Sequence, residues 1–159
     1  MTFALTDLVR EELRTLEPYA IPHPPGIRAK LDANENPIPV TAELSQGLAA
    51  VLAKVELNRY PDGHASELSA ILARQVGCTE AQLCLGNGSD ELIALLCAAF
   101  SQPRPGTSGT RARIAYPVPT FVVDGIASLT HGAQPLEIPL RADFTLDVPA
   151  LDRTIVAGR

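Results

Sequence analysis

Runs of basic residues, long apolar stretches and paired cysteines are all missing from this 159-residue sequence. With a net charge of −5 and no basic cluster, nucleic acid is not an expected partner. The longest apolar run, Leu92 to Phe100, is far too short to span a bilayer, so no membrane role is expected. The opening residues meet Glu11 and Glu12 too soon for a signal peptide. Cys78, Cys84 and Cys97 are odd in number, lack metal-type spacing and sit among apolar neighbours. They read as reduced core residues of a cytoplasmic protein. No internal repeat is present. What remains, 46% hydrophobic and 19% charged, is the composition of a globular chain with room for a real core.

The most informative stretch is Leu83-Cys84-Leu85-Gly86-Asn87-Gly88-Ser89-Asp90-Glu91. Leu83 to Leu85 read as a short buried strand. Gly86 to Ser89 form a turn that Cβ-bearing residues would crowd, and from Asp90 a helix begins with two acids in its first turn. A glycine-rich turn entering a helix leaves backbone N–H groups pointing one way, which suits phosphate. An ordinary tight turn of an α/β protein is the alternative reading. Two familiar phosphate loops are excluded. Glu91 stands where the dinucleotide fingerprint needs a third small residue, and no Gly-Lys-Ser/Thr follows.

Around this centre the chain reads as α/β. Thr6 caps a predicted helix to about Leu16, after which four prolines between Pro18 and Pro25 impose an extended arm. The arm leads into Leu31-Asp32-Ala33-Asn34-Glu35-Asn36-Pro37, too polar to serve a core. Thr41 opens a second helix with Leu44, Leu48, Val51, Leu52 and Val55 at helical spacing. Asn58-Arg59-Tyr60-Pro61-Asp62-Gly63 is a turn. A third helix, Ala65 to Val76, stops at Gly77. Ile114 to Tyr116 and Gln134 to Leu140 supply two more predicted strands, and a last helix is expected near Val148 to Val156. Between those strands Pro117 and Pro119 fix the backbone, Thr120 caps a helix, and Phe121 is aimed from the carboxyl end of a strand. A core position for Phe121 is the competing reading.

Four stretches in this order, Leu-Asp-Ala-Asn-Glu-Asn-Pro, Asn-Arg-Tyr-Pro-Asp, Gly-Asn-Gly-Ser-Asp-Glu and Pro-Thr-Phe, resemble the first half of the histidinol-phosphate aminotransferases. These are pyridoxal-phosphate enzymes of the fold-type I aminotransferase group. Leu16-Glu17-Pro18-Tyr19 is similar to that family's N-terminal arm. The resemblance implies an N-terminal helix and arm over residues 1–37, followed over 38–159 by the first part of the large cofactor-binding domain, its sheet incomplete. It implies that Gly88, Ser89 and Asp90 hold the phosphate of pyridoxal 5'-phosphate and that Phe121 stacks on the pyridine ring. Tyr60 would reach the cofactor phosphate of the neighbouring subunit in a homodimer. Tyr19, Asn34 and Glu35 would lie at the substrate entrance. The implied substrates are small molecules, a phosphorylated amino alcohol with glutamate or 2-oxoglutarate. The implied reaction, a step of histidine biosynthesis, moves an amino group between glutamate and imidazole-acetol phosphate.

The sequence departs from that family in one decisive respect. Such enzymes need a lysine that forms a Schiff base with the cofactor, and the only lysines, Lys30 and Lys54, match no such context. No catalytic residue is therefore assigned, and the chain is expected to be an N-terminal fragment, inactive alone. Threonine-phosphate decarboxylase-like enzymes and aromatic amino-acid aminotransferases share parts of the pattern. A non-catalytic phosphate-binding or dimerising module is the reading if the chain is naturally complete.

Overall fold

In the computed structural model of the protein, residues 4–17, 20, 23–103, 105 and 109–157 are described. They gather into two compact units, one formed by Met1–Ala20 with Cys84–Arg159 and the other by Ile21–Leu83.

The first unit is built on two parallel strands, β1 (Arg113–Val118) and β2 (Gln134–Pro139), in register from Arg113 opposite Gln134 to Val118 opposite Pro139. Parallel pairing requires a crossover, which the helix α4 (Val123–Thr130) provides. The core of this unit gathers around α4 and the strands. Tyr116, Ala127, Ala133 and Ile138 are buried, as is Ser128, whose hydroxyl donates to the Asp124 carbonyl at 2.7 Å. The helix α3 (Ser89–Ala99) packs on α4 and contributes the buried Cys97. The helix α5 (Val148–Ala157) follows β2, its first turn capped by the Asp147 carboxylate, which accepts the Ala150 N–H at 3.0 Å.

The second unit carries the helices α1 (Ala42–Leu52) and α2 (Ser66–Val76). Thr41 caps α1 as expected, its hydroxyl accepting the Leu44 N–H at 3.3 Å. Gly77 ends α2 in the left-handed conformation, with φ +75°. The apolar stripe of α1 is laid out as read, yet Leu44, Leu48, Val51 and Leu52 all remain substantially exposed.

Four expectations are corrected. The helix from Thr6 to Leu16 is two short 3-10 turns, Leu5–Leu8 and Glu11–Leu13, separated by an extended Val9. Leu5 and Leu8 are exposed and Leu13 and Leu16 only half-buried, so little repays helix nucleation. The segment is tied down by polar contacts instead. Arg10 donates to the carbonyls of Leu129 and Thr130 at the C-terminus of α4, and Glu12 pairs with Arg111 at 3.2 Å. Leu83 to Leu85 is extended but is no strand, because β1 and β2 pair only with each other among the described residues. The sheet therefore has two strands here, not three. Thr120 does not cap α4: Val122 holds the cap position, and the Thr120 hydroxyl donates to the Asp124 carboxylate at 3.1 Å. Of the three cysteines, all free, only Cys97 is a buried core residue, whereas Cys78 is half-buried and Cys84 exposed.

Candidate cofactor and substrate site

The turn before α3 owes its shape to two glycines and one acid. Gly88, at φ +87°, adopts a backbone that side-chain-bearing residues rarely take. A Cβ on Gly86 would lie 2.9 Å from both Glu91 Oε2 and Leu92 Cδ2, so a side chain there would have to push those two side chains aside. Glu91 folds back over the turn, and its carboxylate accepts the Asn87 N–H. The Gly88 N–H is taken by the Gly86 carbonyl at 3.0 Å. The next amides, those of Ser89 and Asp90, belong to the first turn of a helix and have no preceding turn to bond. A Cβ built on Gly88 meets nothing within 4 Å, so it is the positive φ rather than crowding that calls for glycine there. Oriented N–H groups at the positive end of an eleven-residue helix, reached across a bare glycine, fit a phosphate group.

Phe121, in the same unit, follows β1 and stands just before α4, partly exposed. Its carbonyl accepts the Asp124 N–H at 3.4 Å, and its neighbour Thr120 binds the Asp124 carboxylate. Asp124 thus holds the Phe121 carbonyl through its N–H and the Thr120 hydroxyl through its carboxylate.

Tyr60, Asn34 and Glu35 belong to the second unit. Tyr60 is fully exposed. Two residues on, the Asp62 carboxylate accepts the N–H groups of His64 (2.9 Å) and Ser66 (2.8 Å), capping α2. These two bonds hold the carboxyl far below its usual range, at about 2. Asn34 lies in the left-handed region at φ +50°. Glu35 is engaged with Lys30, whose ammonium also pairs with Asp32. Tyr19 lies outside the described residues.

The structure therefore leaves the Ser89 and Asp90 amides as adjacent donors at the start of α3, whereas the expected Gly88 donor is already bonded to the Gly86 carbonyl, and Phe121 lies within the same unit. It also gives supporting contacts to four residues for which the sequence reading had none: Glu91, Asp124, Asp62 and Lys30. An i to i+4 spacing, as in Asn87 and Glu91 or Thr120 and Asp124, was the available signal for two of them. For Asp62 it was an Asp four residues ahead of a Ser that begins a helix.

The aminotransferase class I and II family model matches residues 28–157. Histidinol-phosphate aminotransferase from Paracidovorax citrulli is 40% identical over 152 residues, and that from Chromobacterium violaceum 43% identical over 151. These alignments cover 95% and 94% of this chain, which spans about 40% of the length of each relative. Among solved structures, an aminotransferase from Burkholderia pseudomallei matches with a TM-score of 0.58 at 29% identity, over 76% of this chain and 34% of that one. An Erwinia carotovora structure, titled as a histidinol-phosphate aminotransferase, shares the fold at a TM-score of 0.60 and 23% identity, over 79% and 34%. The α/β unit seen here is thus part of a fold-type I aminotransferase framework, and the chain belongs to the class I and II aminotransferase family.

Proposed function

We propose that this chain is the phosphate-cradling portion of a pyridoxal-phosphate-dependent histidinol-phosphate aminotransferase. The observation that carries the reading is the pair of Ser89 and Asp90 amides in the first turn of α3, preceded by the turn at Gly86 and Gly88. Pyridoxal phosphate, when bound, supplies the electron-withdrawing ring through which an amino group passes from one substrate to another. The work of this chain's residues is binding and orientation. The Ser89 and Asp90 amides hold the phosphate, Phe121 covers one face of the ring, and Tyr60 reaches the phosphate of the second subunit in a homodimer. Tyr19, Asn34 and Glu35 form the substrate entrance, where glutamate and imidazole-acetol phosphate exchange the amino group. The proton-transferring lysine is not Lys30, because two carboxylates hold that amine as an ammonium.

A hybrid enzyme tests the reading, with residues 1–159 replacing the matching stretch of the Chromobacterium violaceum relative. Amino transfer from glutamate to imidazole-acetol phosphate is the expected activity. A hybrid that folds and binds cofactor, yet acts only on aromatic keto acids or only decarboxylates phosphothreonine, would overturn the assignment.

A further inference from the structure

We propose that Lys30 is a positioning residue for the loop from Leu31 to Pro37, clamping Asp32 and Glu35 and lowering the loop's charge so that an anionic substrate can approach. The inference rests on the proposed place of Asn34 and Glu35 at the substrate entrance.

Lys30 Nζ lies 3.1 Å from Asp32 Oδ1 and 3.3 Å from Glu35 Oε2. The nitrogen is sealed from solvent, although both carboxylates around it keep half or more of their surface in water. The contacts are ion pairs by distance rather than aligned hydrogen bonds, so the clamp works through charge. It spans the loop from Asp32, its second residue, to Glu35, on the far side of Asn34. Asn34 sits between the two clamped acids in the left-handed region, at φ +50°, a turn conformation that asparagine tolerates better than most side-chain-bearing residues. Ahead of the loop, Pro24, Ile27 and Ala29 line a shallow recess together with Lys30, Leu31 and Asp32.

Charge gives the clamp its consequence for binding. Without Lys30 the loop would present two carboxylates, and with it the local charge is −1 rather than −2. Both proposed substrates are anions. An entrance loop with two uncompensated carboxylates would repel them, more so at low ionic strength.

Two measurements test the proposal. In the chain itself, the Asp32 carboxyl is followed by carbon-13 NMR through an acid titration. Lys30→Gln should move its midpoint upward, and Lys30→Arg should leave it near the parent's. An unmoved midpoint in Lys30→Gln overturns the clamp, and this readout does not depend on any activity. In the hybrid enzyme, Lys30→Gln should raise KM for imidazole-acetol phosphate about two- to fivefold at low salt, with kcat unchanged and the effect fading as salt is added. Lys30→Arg should keep the parent KM. An unchanged KM in Lys30→Gln overturns the charge role, and Asn34→Ala then separates the causes. If Asn34→Ala raises KM, the loop does meet substrate and only the Lys30 inference fails; if neither variant changes KM, the placement of the loop fails with it.

Discussion

Adding a single methyl group at Gly125 probes the packing that seats α4, and with it the chain that follows Phe121. A Cβ built there would lie 2.8 Å from the Tyr116 hydroxyl oxygen but an ordinary 3.6 Å from Tyr116 Cζ. Carbon and oxygen prefer more than 3 Å, so the hydroxyl would have to retreat by about 0.5 Å or more. Retreat is hard, because Tyr116 is only 8% exposed and its hydroxyl already faces Glu137 Oε1 at 3.4 Å. Overpacking of this kind costs about 1–3 kcal/mol. Against it stands the helix-propensity gain of Gly→Ala within α4, about 1 kcal/mol. Gly125→Ala should therefore destabilise the chain by about 0–2 kcal/mol in urea titrations read from the midpoint and slope. The sharper expectation is for the pair. In a Tyr116→Phe background the obstructing oxygen is gone, and Gly125→Ala should become stabilising by up to about 1 kcal/mol. An equal effect of Gly125→Ala in both backgrounds would refute the reasoning.

Other consequences are as direct. Asp62, whose carboxyl is held down at about 2, contributes stability that is fully present above the ordinary carboxyl range and lost as pH falls through that lowered value. Asp62→Asn should therefore be less stable than the parent at neutral pH, and urea midpoints measured from about pH 4 down to about pH 2 should converge. Lys30, whose amine is held above its usual value first by Asp32 and then by Glu35, should be acylated more slowly in the parent than in an Asp32→Asn, Glu35→Gln double variant. Peptide mapping after brief anhydride treatment reads this, and equal rates would count against the ion pair. Arg10→Met removes a partly exposed cation from the carbonyl end of α4 and should cost about 0.5–1.5 kcal/mol by chemical denaturation.

Local chemistry made much of this legible in the sequence. Thr41, Gly77 and the glycines before α3 act through their own backbone or nearest neighbours, and each was found where the residue type placed it. The strands at Arg113–Val118 and Gln134–Pro139 likewise followed from short apolar runs bounded by turns. What could not be read depends on partners distant in sequence. Leu83 to Leu85 has a strand's composition, and Leu83 and Leu85 are half-buried while Cys84 faces out, but a strand exists only with a ladder beside it. The N-terminal segment looked helical by its leucines, yet Arg10 and Glu12 find partners more than ninety residues away that favour a different path. Lys30 was read only as failing to match a catalytic context. Its ion pairs depend on the loop folding back on itself, which spacing alone does not reveal.

Equilibrium dialysis on the hybrid enzyme asks whether the amides at the start of α3 grip a cofactor phosphate, as proposed. Pyridoxal phosphate and phosphate-free pyridoxal are compared across the parent, Ser89→Ala and Ser89→Pro. Proline deletes one amide donor, whereas alanine removes only a hydroxyl. A hydrogen bond to a charged group is worth about 1.5–3 kcal/mol, so Ser89→Pro should weaken pyridoxal phosphate binding about ten- to hundredfold. Ser89→Ala should lose far less, and neither change should alter the weaker binding of pyridoxal. Parent-like affinity for pyridoxal phosphate in Ser89→Pro would show that the phosphate is held elsewhere.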